Sequence, residues 1–253
     1  MEPATWQERR SSFGAAAELY DRIRPHYPAA AIRWILGEKP CRVVDLGSGT
    51  GILSRQLVAL GHEVIPVEPD AGMRAQAALL SERTGVPLPV GGNAEAIPLA
   101  DASVDAVVAG QAYHWFDVTL AHPEITRILR PGGVFGPLWN LRDEGVSWVA
   151  ELTRHTDNAI GEHPGHSSSM ADPSFGPGFG PIERALFPHA TVHTAASLLE
   201  LVRSRSYYLT AGAKGRETID GYVRDLLDTH PDLVGREEFE LPYVTAAYRA
   251  RRR

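Results

Sequence analysis

The chain of 253 residues has a single cysteine, Cys41. An internal disulfide is therefore impossible, and a zinc cage of cysteine thiolates is excluded. No apolar run approaches the roughly 20 residues that a membrane-spanning helix needs. Positive charge is not in excess: 25 Lys and Arg stand against 31 Asp and Glu, for a formal net charge of −6. That balance disfavours a general nucleic-acid surface, which binds by neutralising phosphates. Internal repeats are absent too. Arg9-Arg10 before Phe13 has a faint likeness to a twin-arginine signal. Glu18, Asp21, Arg22 and Arg24 interrupt the apolar stretch such a signal requires, so the expected location is cytoplasmic.

What is present is ordinary globular composition, with 43% apolar and 22% charged residues, enough to bury a core unaided. Residues 12–36 read as helical with a break at Pro25 to Pro28, the second helix being Ala29 to Leu36. Strand-like runs follow at 42–46, 63–67, 86–90, 104–109 and 134–139. Pro87 and Pro89 demote the third to an edge or irregular strand. Helical runs at 53–60, 71–83 and 119–129 alternate with them. Such alternation predicts βαβ units around a parallel sheet. Beyond it, 182–194 and 239–249 have β character, and 197–206 and 217–229 read as helices. The Gly-, Pro-, Ser- and His-rich stretch 161–181 is expected to be a mobile loop or lid. The terminal arginines 249 and 251–253 read as a frayed, solvated tail.

The segment Val43-Val44-Asp45-Leu46-Gly47-Ser48-Gly49-Thr50-Gly51 carries the most information. It is an apolar strand, a glycine-rich turn and the start of a helix. By itself it is also compatible with a tight turn that binds nothing. Asp45 ends the strand just before the glycines, where a carboxylate would repel a pyrophosphate but hold an ammonium group. Glu68 ends the second strand, where a carboxylate can accept both hydroxyls of a ribose. The pair suits a ligand with a ribose and a positive group but no phosphate, and S-adenosylmethionine is such a molecule.

These residues resemble the first and second motifs of class I S-adenosylmethionine-dependent methyltransferases: Asp45 to Gly51, and Val67-Glu68-Pro69-Asp70. Gly92-Asn93-Ala94-Glu95-Ala96-Ile97-Pro98-Leu99, Asp105 to Val108 and Leu129 to Phe135 resemble the later motifs in order. Gln111 to Asp117 and the N-terminal residues Phe13 to Pro28 are similar to the small-molecule enzymes of quinone biosynthesis and trans-aconitate methylation. The resemblance implies a three-layer αβα sandwich, Rossmann-like, with a seven-stranded, mostly parallel sheet whose last strand is antiparallel. It implies one domain over 1–253: an N-terminal cap (1–40), a cofactor core (41–141) and an acceptor side (142–253). The implied cofactor contacts are Asp45, Gly47, Ser48, Gly49, Glu68, Pro69, Met73, Asn93, Ala94, Glu95 and Gln111. Asn93 departs from the Asp of many relatives, yet its carbonyl still accepts from an adenine amino group.

Methyl transfer from a sulfonium is an in-line displacement, so positioning and exclusion of water matter most. His114 follows the fourth strand and is a candidate base, a wall of the acceptor pocket, or a packed structural histidine. Tyr20, Tyr27, Tyr113, Trp115 and Trp139 are candidates to shape the acceptor pocket, with core packing an equal reading for the aromatics. Asn140 ends the fifth strand beside them. Arg24 and Arg142 are candidate anchors for an acidic acceptor. His155, His163 and His166 lack the companions of a metal site, so no metal is expected.

The expected activity is methylation of an O, N or C nucleophile on a small molecule, such as a carboxylate or phenol. The alternatives are a protein or nucleic-acid methyltransferase and a binding protein without catalysis. A nicotinamide dehydrogenase is disfavoured by Asp45. The expected partner is a small-molecule acceptor, with no nucleic acid and no membrane, and oligomeric state is open.

Overall fold

Val43, Val44, Leu46, Val104 and Ala106 to Ala109 are apolar on both faces, the pattern of strands covered by helices on either side. In the computed structural model, which describes residues 21–157 and 174–253, these runs form the middle of one sheet. The elements in chain order are α1 (Ala29–Leu36), β1 (Arg42–Leu46), α2 (Ile52–Ala59), β2 (Glu63–Glu68), α3 (Ala71–Thr84) and β3 (Val90–Gly91). Then come β4 (Val104–Gly110), a 3-10 turn (Tyr113–Trp115), α4 (Val118–Ile128) and β5 (Leu129–Arg142). The second half holds α5 (Ser147–Asp157), β6 (Glu183–His193), α6 (Ala195–Arg203), α7 (Ser206–Thr210), α8 (Ala213–Thr229) and β7 (Phe239–Arg251).

The sheet has seven strands in the order β3-β2-β1-β4-β5-β7-β6. β1 pairs in parallel with both β2 and β4, and β2–β3 and β4–β5 are also parallel. Arg252 exchanges backbone hydrogen bonds with Gly132 and Gly133, whereas Pro242 accepts from Asp143. The two strands therefore run in opposite directions, and β7 is the antiparallel member of the Rossmann-like sheet. Strand order reverses between β1 and β4, and open α/β sheets bind ligands at the carboxyl ends beside such a switch point.

The described residues cluster in two compact units, one holding 26–140, 174–187 and 245–253, the other 21–25, 141–157 and 188–244. The first is centred on Ile32, Ile35, Val43, Leu57, Ala106 and Val108. The second is centred on Trp148, Leu198, Leu201, Val223, Leu241 and Tyr243.

Several expectations change. The third strand shrinks to Val90–Gly91, because prolines at 87 and 89 leave no N–H for the ladder. β5 is far longer than 134–139, extending from Leu129 to Arg142. Helix α5 was not legible, and the run 197–206 divides into α6 and α7. The terminal arginines do not fray. Arg249 lies over the Trp34 ring at 4.3 Å and donates to Glu183 at 2.7 Å, while the Arg252 amide donates to Gly133 at 2.7 Å. Their alternating charge masks a strand whose partner, β5, is already in place. Most of the expected lid lies outside the described residues, but its end is anchored, with Phe175 and Phe179 buried against Phe135.

Candidate active site

The glycine turn is bound to the end of β2. The amides of Gly47 and Ser48 both donate to the Val67 carbonyl, at 2.8 and 3.1 Å. Gly47 has φ +73°, and a Cβ there would lie 2.6 Å from the Ala112 Cβ. Both facts demand glycine, and they bring the turn against the chain that leaves β4.

Glu68 ends β2 and is 7% exposed. One carboxylate oxygen accepts from the Gly49 amide and the other from the Asp70 amide, each at 2.8 Å. Arg74 donates to the backbone carbonyls of Glu68 and Pro69. The carboxylate is thus fixed in orientation at the end of β2. Met73 is buried, its amide capped by the Asp70 side chain at 2.8 Å, and Pro69 is exposed.

Asp45 ends β1 between Pro66 of β2 and Val108 of β4. It is 1% exposed, and the Ser54 hydroxyl donates to its Oδ2 at 2.6 Å. Burial, reinforced by the charge of Glu68, pushes its carboxyl up to about 7, while the hydrogen bonds from Ser54 oppose that rise. Two carboxylates at adjacent strand ends make a concentrated negative site suited to a cation.

Two buried polar atoms test whether this region fits an adenosyl ligand. Asn93 Oδ1 and Ser48 Oγ are buried and accept or donate no hydrogen bond within the chain. A buried amide oxygen without a donor is costly, and an exocyclic amino group satisfies it. The residues present therefore fit the group. Ala94 beside Asn93 is buried, and the Glu95 carboxylate accepts from the Asp117 amide at 2.9 Å, which fixes the start of α4.

Past β4 the backbone is strained. Gln111 has φ +56°, uncommon for a residue with a Cβ. Its amide donates to the Leu138 carbonyl and its side chain to the Asn140 carbonyl, at 3.0 and 2.9 Å. Asn140 is itself buried, accepting from Thr245 and donating to the His26 carbonyl. Tyr27 is held by two bonds between its backbone and Gln56, and its hydroxyl lies over Gly110.

The aromatics separate by role. Tyr113 is buried, its hydroxyl 2.8 Å from His122 Nε2 and its ring against Phe135 and Phe175, so it belongs to the core. His114 is half-buried, and the Trp139 indole N–H donates to its Nδ1 at 3.3 Å. Trp115 is half-buried against the His114 ring, and Trp139 also meets Tyr248 edge to face. The remaining candidates are placed elsewhere. Arg24 and Arg142 belong to the other unit, where Arg24 donates to the Ser204 hydroxyl and carbonyl, and Arg142 to Thr156. Tyr20, His163 and His166 lie outside the described residues, and His155 stacks on Tyr222. Among the described residues no three His, Cys, Asp or Glu side chains are grouped to hold a metal ion. Ser54, Gln56 and His122 were missed from sequence, since a Ser, Gln or His on a helix gives no periodic signal of the group it faces.

The sequence pattern of a methyltransferase domain family matches residues 44–136. A methyltransferase of Mycobacterium tuberculosis is 42% identical over 241 residues, 94% of this chain and 95% of the relative. The chain belongs to the class I S-adenosylmethionine-dependent methyltransferases. It is accordingly an enzyme that uses S-adenosylmethionine as methyl donor. The malonyl-[acyl-carrier protein] O-methyltransferase of Methylococcus capsulatus is 40% identical over 131 residues, 48% of this chain and 47% of that one. A solved structure from Anaeromyxobacter dehalogenans, described as a type II methyltransferase, shares the methyltransferase fold. It superposes with a TM-score of 0.67 at 26% identity, covering 90% of this chain and 97% of that one. In the methyltransferase, the glycine turn, Glu68 and Asn93 described above all come from the strand ends of one unit.

Proposed function

We propose that this enzyme, working as a single methyltransferase domain over 1–253, methylates the carboxylate of a small organic acid. The observation that carries the acceptor class is the state of His114. An indole N–H can only donate, so the Nδ1 facing Trp139 accepts, and the neutral ring bears its proton on Nε2. In that tautomer His114 offers a donor and is not set to remove a proton. An acceptor that is already an anion needs no base, whereas an alcohol or amine does. The likeness, over about half of each chain, to a malonyl-[acyl-carrier protein] O-methyltransferase supports the same chemistry, because a malonyl group carries a carboxylate.

The mechanism follows from the residues. Asp45 holds the ammonium end of the cofactor, Glu68 the ribose hydroxyls, and Asn93 Oδ1 the adenine amino group. Bound there, S-adenosylmethionine supplies an electrophilic methyl on a sulfonium. The fixed Glu68 carboxylate and the rigid glycine turn hold the donor end still, so approach of the acceptor oxygen is an encounter of positioned groups. His114 Nε2–H donates to the acceptor and orients it. His114, Trp115 and Trp139 line the path, and the aromatic faces favour cationic charge by about 0.5–2 kcal/mol. A cytoplasmic location and a freely diffusing acceptor are part of this reading.

The test is a screen with methyl-labelled cofactor against di- and tricarboxylic acids, phenols and amines. Base-labile label on an acid, as expected of a methyl ester, supports the proposal. Label only on phenols or amines overturns it. His114→Ala is expected to raise KM for the acid about tenfold while kcat stays within a few-fold and its pH profile is unchanged. A kcat loss of 100-fold with a changed pH profile would instead make His114 the base.

A further inference from the structure

The Asp45 carboxylate must be ionised to hold an ammonium group, yet its surroundings oppose ionisation. It is almost wholly buried at the end of β1, and Glu68 stands at the end of the neighbouring strand. Of the elements packed against it, β2 brings the negative charge of Glu68, β4 brings Val108 and α2 brings Ser54. No cationic side chain acts on it among those. The opposing group is Ser54, itself 0% exposed, whose hydroxyl reaches Asp45 Oδ2 at 2.6 Å. Ser54 lies in the first turn of α2, whose N-terminal end begins at Gly51.

We infer that Ser54 is a positioning residue for the cofactor, which keeps Asp45 in the ionised form that accepts the ammonium group. The inference rests on the role given to Asp45 above. A hydroxyl can donate to a carboxylate but gains less from a protonated carboxyl, so its bond favours the charged state. Burial and the charge of Glu68 outweigh that bond and leave the carboxyl raised, to about 7. When the ammonium group docks, Asp45 releases whatever proton it holds. At pH 7, a group with its midpoint near 7 releases roughly half a proton per binding event. Without the Ser54 hydroxyl the midpoint moves higher, so more of the enzyme must lose a proton before it binds.

The experiment is calorimetric titration of S-adenosylhomocysteine into the full-length enzyme at pH 7 and pH 9. Each titration is run in two buffers of different ionisation enthalpy, which counts the protons released. For Ser54→Ala the expected result is affinity about tenfold weaker at pH 7, within about twofold of wild type at pH 9, and a larger proton release at pH 7. Ser54→Thr restores the hydroxyl and is expected to restore both. Ser54→Cys, which preserves volume but donates weakly, should behave like Ser54→Ala and replaces it if the alanine variant does not fold. An equal loss at both pH values, with unchanged proton release, would mean that Ser54 only packs α2 on the sheet, and the inference falls. Wild-type binding with Asp45→Asn unaffected would remove the Asp45 assignment itself. Those two failures are distinct, because only the second involves Asp45→Asn.

Discussion

Glu68 and Gly47 show how narrowly single residues determine this site. Both oxygens of Glu68 are held by amides, one of them from the glycine turn. Truncation therefore removes the proposed ribose acceptor and frees the turn that it fixes. Glu68→Ala is expected to weaken S-adenosylhomocysteine at least tenfold by calorimetry, and unchanged affinity would contradict the ribose assignment. Gly47→Ala meets two penalties together, a positive φ and a contact of 2.6 Å with Ala112. A cost of roughly 2–4 kcal/mol is expected in urea unfolding. Gly85 has φ +69° in the left-handed helical region with nothing within 4 Å of the added Cβ, so Gly85→Ala is the control and is expected to cost about 1 kcal/mol. At this scale the sequence was most legible where chemistry forces a residue type. Asp45, Glu68 and the glycines have few substitutes in their positions. Ser54 and Gln111 were harder to assign, because a hydroxyl or an amide serves many purposes and only the folded partner tells which.

At the scale of elements, alternation of apolar strands and helices was readable through β5, because each element there carries its own period. The second half was less so. Helix α5 begins at Ser147 and mixes Trp, Glu, Thr, Arg and His, so its buried face of Trp148, Val149 and Leu152 is short. β7 ends in arginines, which read as tail until Trp34 and Glu183 are placed beside Arg249. One pairing within the helical unit decides how α6 meets α8. Arg203 binds Asp220 through Nε at 3.1 Å and Nη2 at 2.5 Å, and Arg224 adds a weaker contact at 3.5 Å. The Arg203 hydrogen bonds hold the Asp220 carboxyl below its ordinary range. A depressed acid stabilises the fold at pH values above its unfolded pKa, and that contribution is lost as pH falls through the folded one. Asp220→Asn should therefore cost about 1–2 kcal/mol in urea unfolding at pH 7, and the gap from wild type should close as pH falls below about 4. A gap that persists unchanged at pH 3 would mean that the carboxylate contributes only shape.

For the whole molecule, the carboxylate proposed to serve binding works against folding. Asp45 is raised to about 7 by burial and by Glu68, whereas an exposed aspartate titrates near 3.9. Between those values the native state holds a proton that the unfolded chain has released. Stability consequently falls as pH rises from about 4 to about 7, and the shortfall is complete above the folded value. Asp45→Asn removes the titrating group and keeps its shape. The variant is expected to be more stable than wild type at pH 8, by the order of a few kcal/mol, with the gap cut to roughly a third of that at pH 5 and closed below about pH 4. S-adenosylhomocysteine should narrow that gap at pH 8, because it favours the native wild type and at 100 times its Kd adds about 2.7 kcal/mol. Urea unfolding of both proteins at pH 5 and 8, with and without S-adenosylhomocysteine, measures all four quantities. An Asp45→Asn protein less stable than wild type at pH 8 without ligand would show that the buried carboxylate is held by contacts strong enough to repay its desolvation. The negative site would then be a structural feature of the sheet and not a cost accepted for the cofactor.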